Sequence, residues 1–329
     1  MRSLAAWLRR WGISFASLAG GLLTLFVFRR GVPAVSWIVG YVLLLWLLVA
    51  LLVQARDALE TSERRSHRLV LTATEYTIQT LYHGVLLFLL PPYWASTTLT
   101  SPNVVLLSLL VVLVLVATFD PWYRAVVRPR PWLGHVFFLV SVFAALNLAL
   151  PLIGVPPFEA LMLAAWTTVV ALTPTVCRAR GWRWLTGFAV TAIVGATAAV
   201  AAGRWCVVVP PVPMFLAHGE LGWTVGSIDS LEPVPSAIRA SELHEKGLVA
   251  RTAIYAPAGL RQPVEHVWRR NGEVVNVVRL TPVQGGRRDG FRTFSRKTAF
   301  PADSVGRWRV DVTTEAGQLI GQLRFRVVP

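Results

Sequence analysis

The stretch Ala201-Ala202-Gly203-Arg204-Trp205-Cys206-Val207-Val208-Val209-Pro210-Pro211-Val212-Pro213 divides the chain into two kinds of sequence. Upstream lie seven hydrophobic segments, approximately 13–28, 32–53, 69–90, 104–119, 132–153, 158–176 and 184–202. Downstream, apolar residues alternate with polar ones, and Gly, Asn, Asp and Pro punctuate short runs. Most upstream segments reach the roughly 17–25 residues a helix needs to cross a hydrocarbon core about 30 Å thick. With 54% hydrophobic and 15% charged residues and a mean hydropathy of +0.55, the 329 residues are too apolar for a soluble chain.

Arginines give the segments a direction. Arg2, Arg9 and Arg10 precede the first; Arg56, Arg64, Arg65 and Arg68 fill the second connection; Arg124, Arg128 and Arg130 the fourth; Arg178, Arg180 and Arg183 the sixth. Connections 91–103 and 154–157 carry neither Lys nor Arg. Basic residues beside span ends are retained in the cytoplasm. The pattern therefore predicts an α-helical integral membrane bundle of about seven spans over 1–204, with the N-terminus cytoplasmic and the C-terminal part outside. Arg29 and Arg30 fall on the first outer turn, where long stems reach headgroups. That pair, and the missing A-x-A site, argue for an uncleaved first span.

Residues 247–329 read as an all-β domain. Runs at 250–255, 264–270, 273–280, 291–298, 307–313 and 318–328 are rich in β-branched and aromatic residues and bounded by turn formers. Asn271-Gly272 signals a two-residue hairpin, because both central residues of a type I′ turn need positive φ. Centred there, the turn sets Trp268 opposite Val275 and His266 opposite Val277. In the last hairpin Trp308, Val310, Val312, Leu319, Leu323, Phe325 and Val327 define a core face, against Arg307, Arg309, Asp311, Gln322, Arg324 and Arg326. So many short antiparallel strands favour an immunoglobulin-like sandwich over a barrel. Residues 205–246, with their Pro-rich start, read as a linker or membrane-surface segment.

Several of these residues carry a family resemblance. Arg251-Thr252-Ala253-Ile254, His266-Val267-Trp268, Gly285-Gly286-Arg287, Gly290-Phe291-Arg292-Thr293, Ser295-Arg296-Lys297, the run from Gly306 to Val312, and Gly317 through Gly321 to Phe325 resemble domain of unknown function 2914. The upstream spans, with Glu75-Tyr76, Pro91-Pro92-Tyr93 and Asp120-Pro121, resemble domain of unknown function 5924, found in proteobacteria. The resemblance implies a Gram-negative envelope; combined with the arginine pattern, that gives an inner-membrane protein with its β domain expected in the periplasm. Neither family carries an activity to transfer.

Candidate chemistry is sparse. Glu75, Gln79 and His83 recur every four residues and form a polar stripe on one face of the third span, beside Tyr76 and Thr80. At a rise of about 1.5 Å per residue from Leu69, Glu75 lies roughly 9 Å and His83 roughly 21 Å along the helix. Intramembrane ionisable groups are functional suspects, and a lining shared with Asn147 of the fifth span and Thr167-Thr168 of the sixth would form a pathway. Against that stands interhelical hydrogen bonding, with Glu75 paired to Arg124 or Arg128. Pro91-Pro92-Tyr93-Trp94 reads as the end of the third span and a headgroup anchor. In the outer domain Gly285, Gly286, Arg287 and Arg288 could cradle an anion, or form a plain strand connection. Asp311 and Glu315 dilute the basic hairpin face.

Cys177 and Cys206 fall on opposite sides of the seventh span and suit no disulfide. No C-x-x-C, H-E-x-x-H or P-loop occurs, so no catalytic residue, metal site or cofactor is assigned. About half of the basic residues behind the +15 charge are topology-setting arginines, which argues against nucleic acid. The expected partners are the lipid bilayer and an envelope protein, glycan or anionic lipid. Three classes remain: a non-enzymatic binding or scaffold protein first, a transporter or channel using the polar stripe second, and an enzyme on a lipid-linked substrate last.

Overall fold

The computed structural model describes residues 65–225 and 227–329, together with 44, 46 and 47. They form two compact units. One takes in the described residues up to Pro91, Leu106–Ala149 and Ala160–Arg204; the other gathers the described residues of Pro92–Val105, Leu150–Glu159 and Trp205–Pro329.

The first unit is helical: α1 (Arg65–Ser96), α2 (Val104–Thr118), α3 (Asp120–Val126), α4 (Pro131–Leu152), α5 (Pro157–Val170), α6 (Thr173–Arg180) and α7 (Trp184–Arg204). Proline opens α4 and α5, where its missing N–H costs nothing and its φ is preset. Gly181 closes α6 in the left-handed region at φ 64°. Among the described residues three stretches, Pro131–Leu152, Pro157–Arg180 and Trp184–Arg204, are long and apolar enough to cross a membrane. A fourth follows if α2 and α3, bent by 105° at their junction, count as one broken span. That is coarser than the seven expected from sequence. The segments 13–28 and 32–53 lie almost wholly outside the described residues, and α1, which holds the third segment, is diluted by its polar positions.

Two local differences follow from packing. Helix α1 runs through Pro91 and Pro92 to Ser96 rather than ending at the prolines, which leaves Tyr93 fully buried and Trp94 62% exposed. On α7, Gly187, Thr191, Gly195 and Ala199 recur every fourth residue and are buried. A Cβ on Gly195 would stand 3.0 Å from the Trp166 carbonyl oxygen, and the hydroxyls of Thr191 and Thr173 are 2.7 Å apart. Small side chains thus let α7 approach α5 and α6 closely.

The second unit contains a four-stranded sheet, β2-β1-β4-β9, and a five-stranded sheet, β3-β11-β10-β6-β7. The strands are β1 (Phe215–Val225), β2 (Ser227–Pro233), β3 (Ala237–Arg239), β4 (Leu248–Tyr255), β5 (Arg261–Gln262), β6 (Val264–Arg270), β7 (Glu273–Arg279), β8 (Val283–Gln284), β9 (Phe291–Lys297), β10 (Gly306–Thr314) and β11 (Leu319–Val328). A short helix, α8 (Ala240–Lys246), follows β3, and β5 pairs with β8. One apolar cluster joins both sheets: Trp223, Leu248 and Ala250 meet Trp268, Trp308, Val310, Phe325 and Val327. Trp308 stacks on Phe325 at 5.9 Å, and Trp268 meets Phe325 edge-on at 6.4 Å.

The last hairpin has the expected faces, with Trp308 opposite Phe325 and Val310 opposite Leu323. The Asn271-Gly272 turn forms, at φ 48° and 98°. Its neighbouring register differs: a bulge beside Trp268 sets that residue opposite Asn276, and His266 opposite Val278. Strict alternation from Val275 would aim Arg279 inward; the bulge turns Val278 toward the core and leaves Arg279 exposed. Residues 205–246 are not a linker, since they supply β1, β2, β3 and α8, with β1 interior to its sheet. Their strand signal is hidden by glycines that close packing demands. A Cβ on Gly219 would meet Leu323 Cδ2 at 2.6 Å, and one on Gly222 would meet the Glu232 carbonyl oxygen at 2.8 Å.

Candidate functional site

The polar stripe of α1 meets the bend between α2 and α3. Phe119 is extended (φ −95°, ψ 101°), and Pro121 in the first turn of α3 fixes the new direction. Such a break leaves the last carbonyls of α2 without helical donors. Gln79 Nε2 donates to one of them, Ala117 O, at 3.2 Å, and to Asp120 Oδ1 at 2.7 Å. The Thr118 hydroxyl donates to Val114 O at 2.7 Å, so the 2.9 Å contact with His83 Nδ1 makes that nitrogen the donor. Farther along, Arg128 Nη2 lies 3.5 Å from Glu75 Oε2. Gln79, His83 and Asn147 are buried, at 8%, 7% and 2% exposure. The Thr168 hydroxyl turns back to Ala164 O of its own helix.

The arrangement holds a bent helix in place. Asp120, quoted above only for the family resemblance, is thus a polar partner of the stripe through Gln79. The signal was present: Asp followed by Pro marks a helix start directly after the apolar run that ends at Phe119.

In the β unit, fully buried His266 bridges the sheets. Its Nδ1 is 2.8 Å from Ser295 Oγ on β9, and its Nε2 is 3.0 Å from Thr252 Oγ1 on β4. Trp268 Nε1 also donates to Ser295 Oγ, at 3.2 Å. Burial pushes the His266 pKa down to about 4, so the ring is neutral at neutral pH. An imidazole between hydroxyls has the parts of a nucleophile–base pair. Here Thr252 and Ser295 are both buried, and the network ties β6 to β4 and β9. Burial likewise raises the Cys206 pKa, and its thiol donates to Ala316 O at 3.3 Å.

In the Gly285–Gly290 loop, two of the backbone N–H groups considered for an anion are used within the fold. The Gly285 N–H donates to Leu260 O and the Gly286 N–H to Ala256 O, at 2.9 and 3.0 Å. The Arg287 guanidinium sits 5.0 Å above the Phe291 ring. A Cβ on Gly285 would collide with the Pro257 carbonyl oxygen, so the glycine serves packing.

The basic surface lies instead on the outer face of the five-stranded sheet. Arg309 on β10 is directly opposite Arg269 on β6 and Arg324 on β11, and Arg307 is opposite Arg326. Asp311, 5% exposed, takes Arg269 Nε at 2.9 Å and lies 3.3 Å from Arg309 Nε. Rather than simply diluting this face, Asp311 holds two of its arginines in place. Arg324 donates to Thr100 Oγ1 in the α1–α2 connection, at 2.5 Å.

A helical region carrying apolar stretches of membrane-spanning length, followed by a two-sheet β unit with an arginine-rich face, defines the class of protein. Residues 1–250 match the model of Family of unknown function (DUF5924), and residues 261–327 match Protein of unknown function (DUF2914). The chain belongs to the first of these families, and the order of the two is the one its sequence motifs indicate. No curated protein and no solved structure matches it.

Proposed function

We propose that the chain is a seven-span inner-membrane protein that presents a periplasmic immunoglobulin-like module as a non-enzymatic binding or scaffold element for an envelope partner. One observation carries the orientation. Pro92–Val105 and Leu150–Glu159, which correspond to the two connections lacking Lys and Arg, belong to the same compact unit as the β strands. Side-chain use supports the binding role: the α1 stripe is engaged within the chain, whereas the sheets turn arginines and Phe294, 43% exposed, outward. Aromatic and arginine side chains are those that protein surfaces most often use to bind.

The test places a photo-crosslinking residue at Phe294 of the intact protein in living cells, with one at Leu185 of α7, 75% exposed, as a reference. A discrete adduct from position 294 alone is expected. Identical products from both positions would overturn the reading. A second reading, transport along α1, draws on Asp120, which brings a second carboxylate to the stripe. On that reading Glu75→Gln and His83→Gln abolish pH-dependent flux while the amount of folded protein stays unchanged.

A further inference from the structure

We infer that the arginine face of the five-stranded sheet binds the phosphate groups of anionic phospholipids in the membrane that holds the chain. This goes beyond the binding-module reading, which is tested at Phe294 on the four-stranded sheet, and concerns the other sheet. Like charges directly opposite on neighbouring strands repel. Two such rows occur side by side here, Arg269-Arg309-Arg324 and Arg307-Arg326. Neighbouring strands are about 4.8 Å apart and alternate residues about 6.6 Å, so the guanidinium stems rise from one small patch. Asp311 is buried beneath them and engages the Nε side of Arg269 and Arg309. The other carboxylates on this face, Glu265 and Glu315, lie beyond it, 3.4 and 4.0 Å from Arg279. Five arginines over one carboxylate leave the patch four charges positive.

The place of the patch selects the ligand. Arg324 is bonded to Thr100, four residues past the end of α1 and four before the start of α2. A connection that short, between helices read as spans, stays at headgroup level. Arginine forks suit phosphate oxygens, and a fixed array facing a bilayer meets several at once. Arg307 and Arg326 are exposed and supply charge without belonging to the core.

The full-length chain in detergent is titrated with phosphatidylglycerol, phosphatidylcholine or glycerol phosphate, and bound lipid is read by native mass spectrometry. The variant Arg307→Gln/Arg326→Gln is compared with Arg292→Gln/Arg296→Gln on the other sheet; unchanged tryptophan emission verifies the fold of each. The first pair is expected to weaken the tightest phosphatidylglycerol binding by about 30-fold, from the usual contribution of two arginines near an anionic surface. The second pair should leave it unchanged, and phosphatidylcholine should be indifferent to both. Equal phosphatidylglycerol binding by the two variants overturns the assignment, as does glycerol phosphate binding as tightly as the lipid. If the Phe294 adduct survives while lipid binding ignores Arg307 and Arg326, this inference fails and the binding-module reading stands. Loss of the adduct with the lipid response intact has the opposite meaning.

Discussion

His266 is a single side chain on which two sheets depend. Its neutral ring satisfies Ser295 and Thr252, and Ser295 in turn accepts from Trp268. Folding lowers its pKa from 6.5 to about 4. The unfolded chain therefore binds the proton first as pH falls: stability is fully present above pH 6.5 and is lost on the way down to about 4. The loss is on the order of 3 kcal/mol at 1.36 kcal/mol per unit. A denaturant midpoint of the full chain, followed by tryptophan emission, should drop across that window, and His266→Gln should flatten the His266 share of the slope. Indistinguishable pH profiles for the two proteins would refute it. At this scale the sequence was partly legible. Asn271 and Gly272 adopt the positive φ values their types suggested. The adjoining bulge was not visible, because alternation is read along one strand, whereas the bulge answers to the whole core, which accepts Val278 and excludes Arg279.

At the scale of elements, the i, i+4, i+8 spacing of Glu75, Gln79 and His83 announced a polar helix face. It could not announce what the face meets, since helical period fixes the direction of side chains relative to their own axis and says nothing of the neighbour. The neighbour is the broken end of α2. Gln79 supplies one amide nitrogen to both a helix-terminal carbonyl and the Asp120 carboxylate. Gln79→Leu removes that donor from a buried setting, and the unfolding free energy should fall by about 1–3 kcal/mol. Thr80→Val is the comparison, because Thr80 is exposed and its hydroxyl bonds to Tyr76 O of the same helix. Thermal unfolding of the full chain in detergent should separate the two variants. A Gln79→Leu melt equal to that of Thr80→Val would show that the clamp contributes nothing to the fold.

For the whole molecule, the family boundaries and the fold boundaries disagree in an informative way. One family match ends at residue 250 and the other begins at 261, yet β4 runs from Leu248 to Tyr255 through the middle of a sheet. The segment matched by the second family contains β9 but neither β4, its neighbour in the sheet, nor β1 and β2 beyond. Sequence patterning found the strongly alternating strands after 247 and missed those before, because β1 carries two glycines where side chains would collide. A fragment from Arg261 to Pro329 would expose Trp268, Trp308 and Phe325, having lost Trp223, Ile238, Leu243, Leu248 and Ala250. It would also leave His266 without Thr252. Such a fragment should melt without a cooperative transition and show the red-shifted tryptophan emission of an unfolded chain. Extending it back to Trp205 restores β1 to β4 and should restore both cooperativity and blue-shifted emission. A cooperative melt from the short fragment would mean that its strands form a complete core by themselves, and that the upstream strands are an addition to the module rather than half of it.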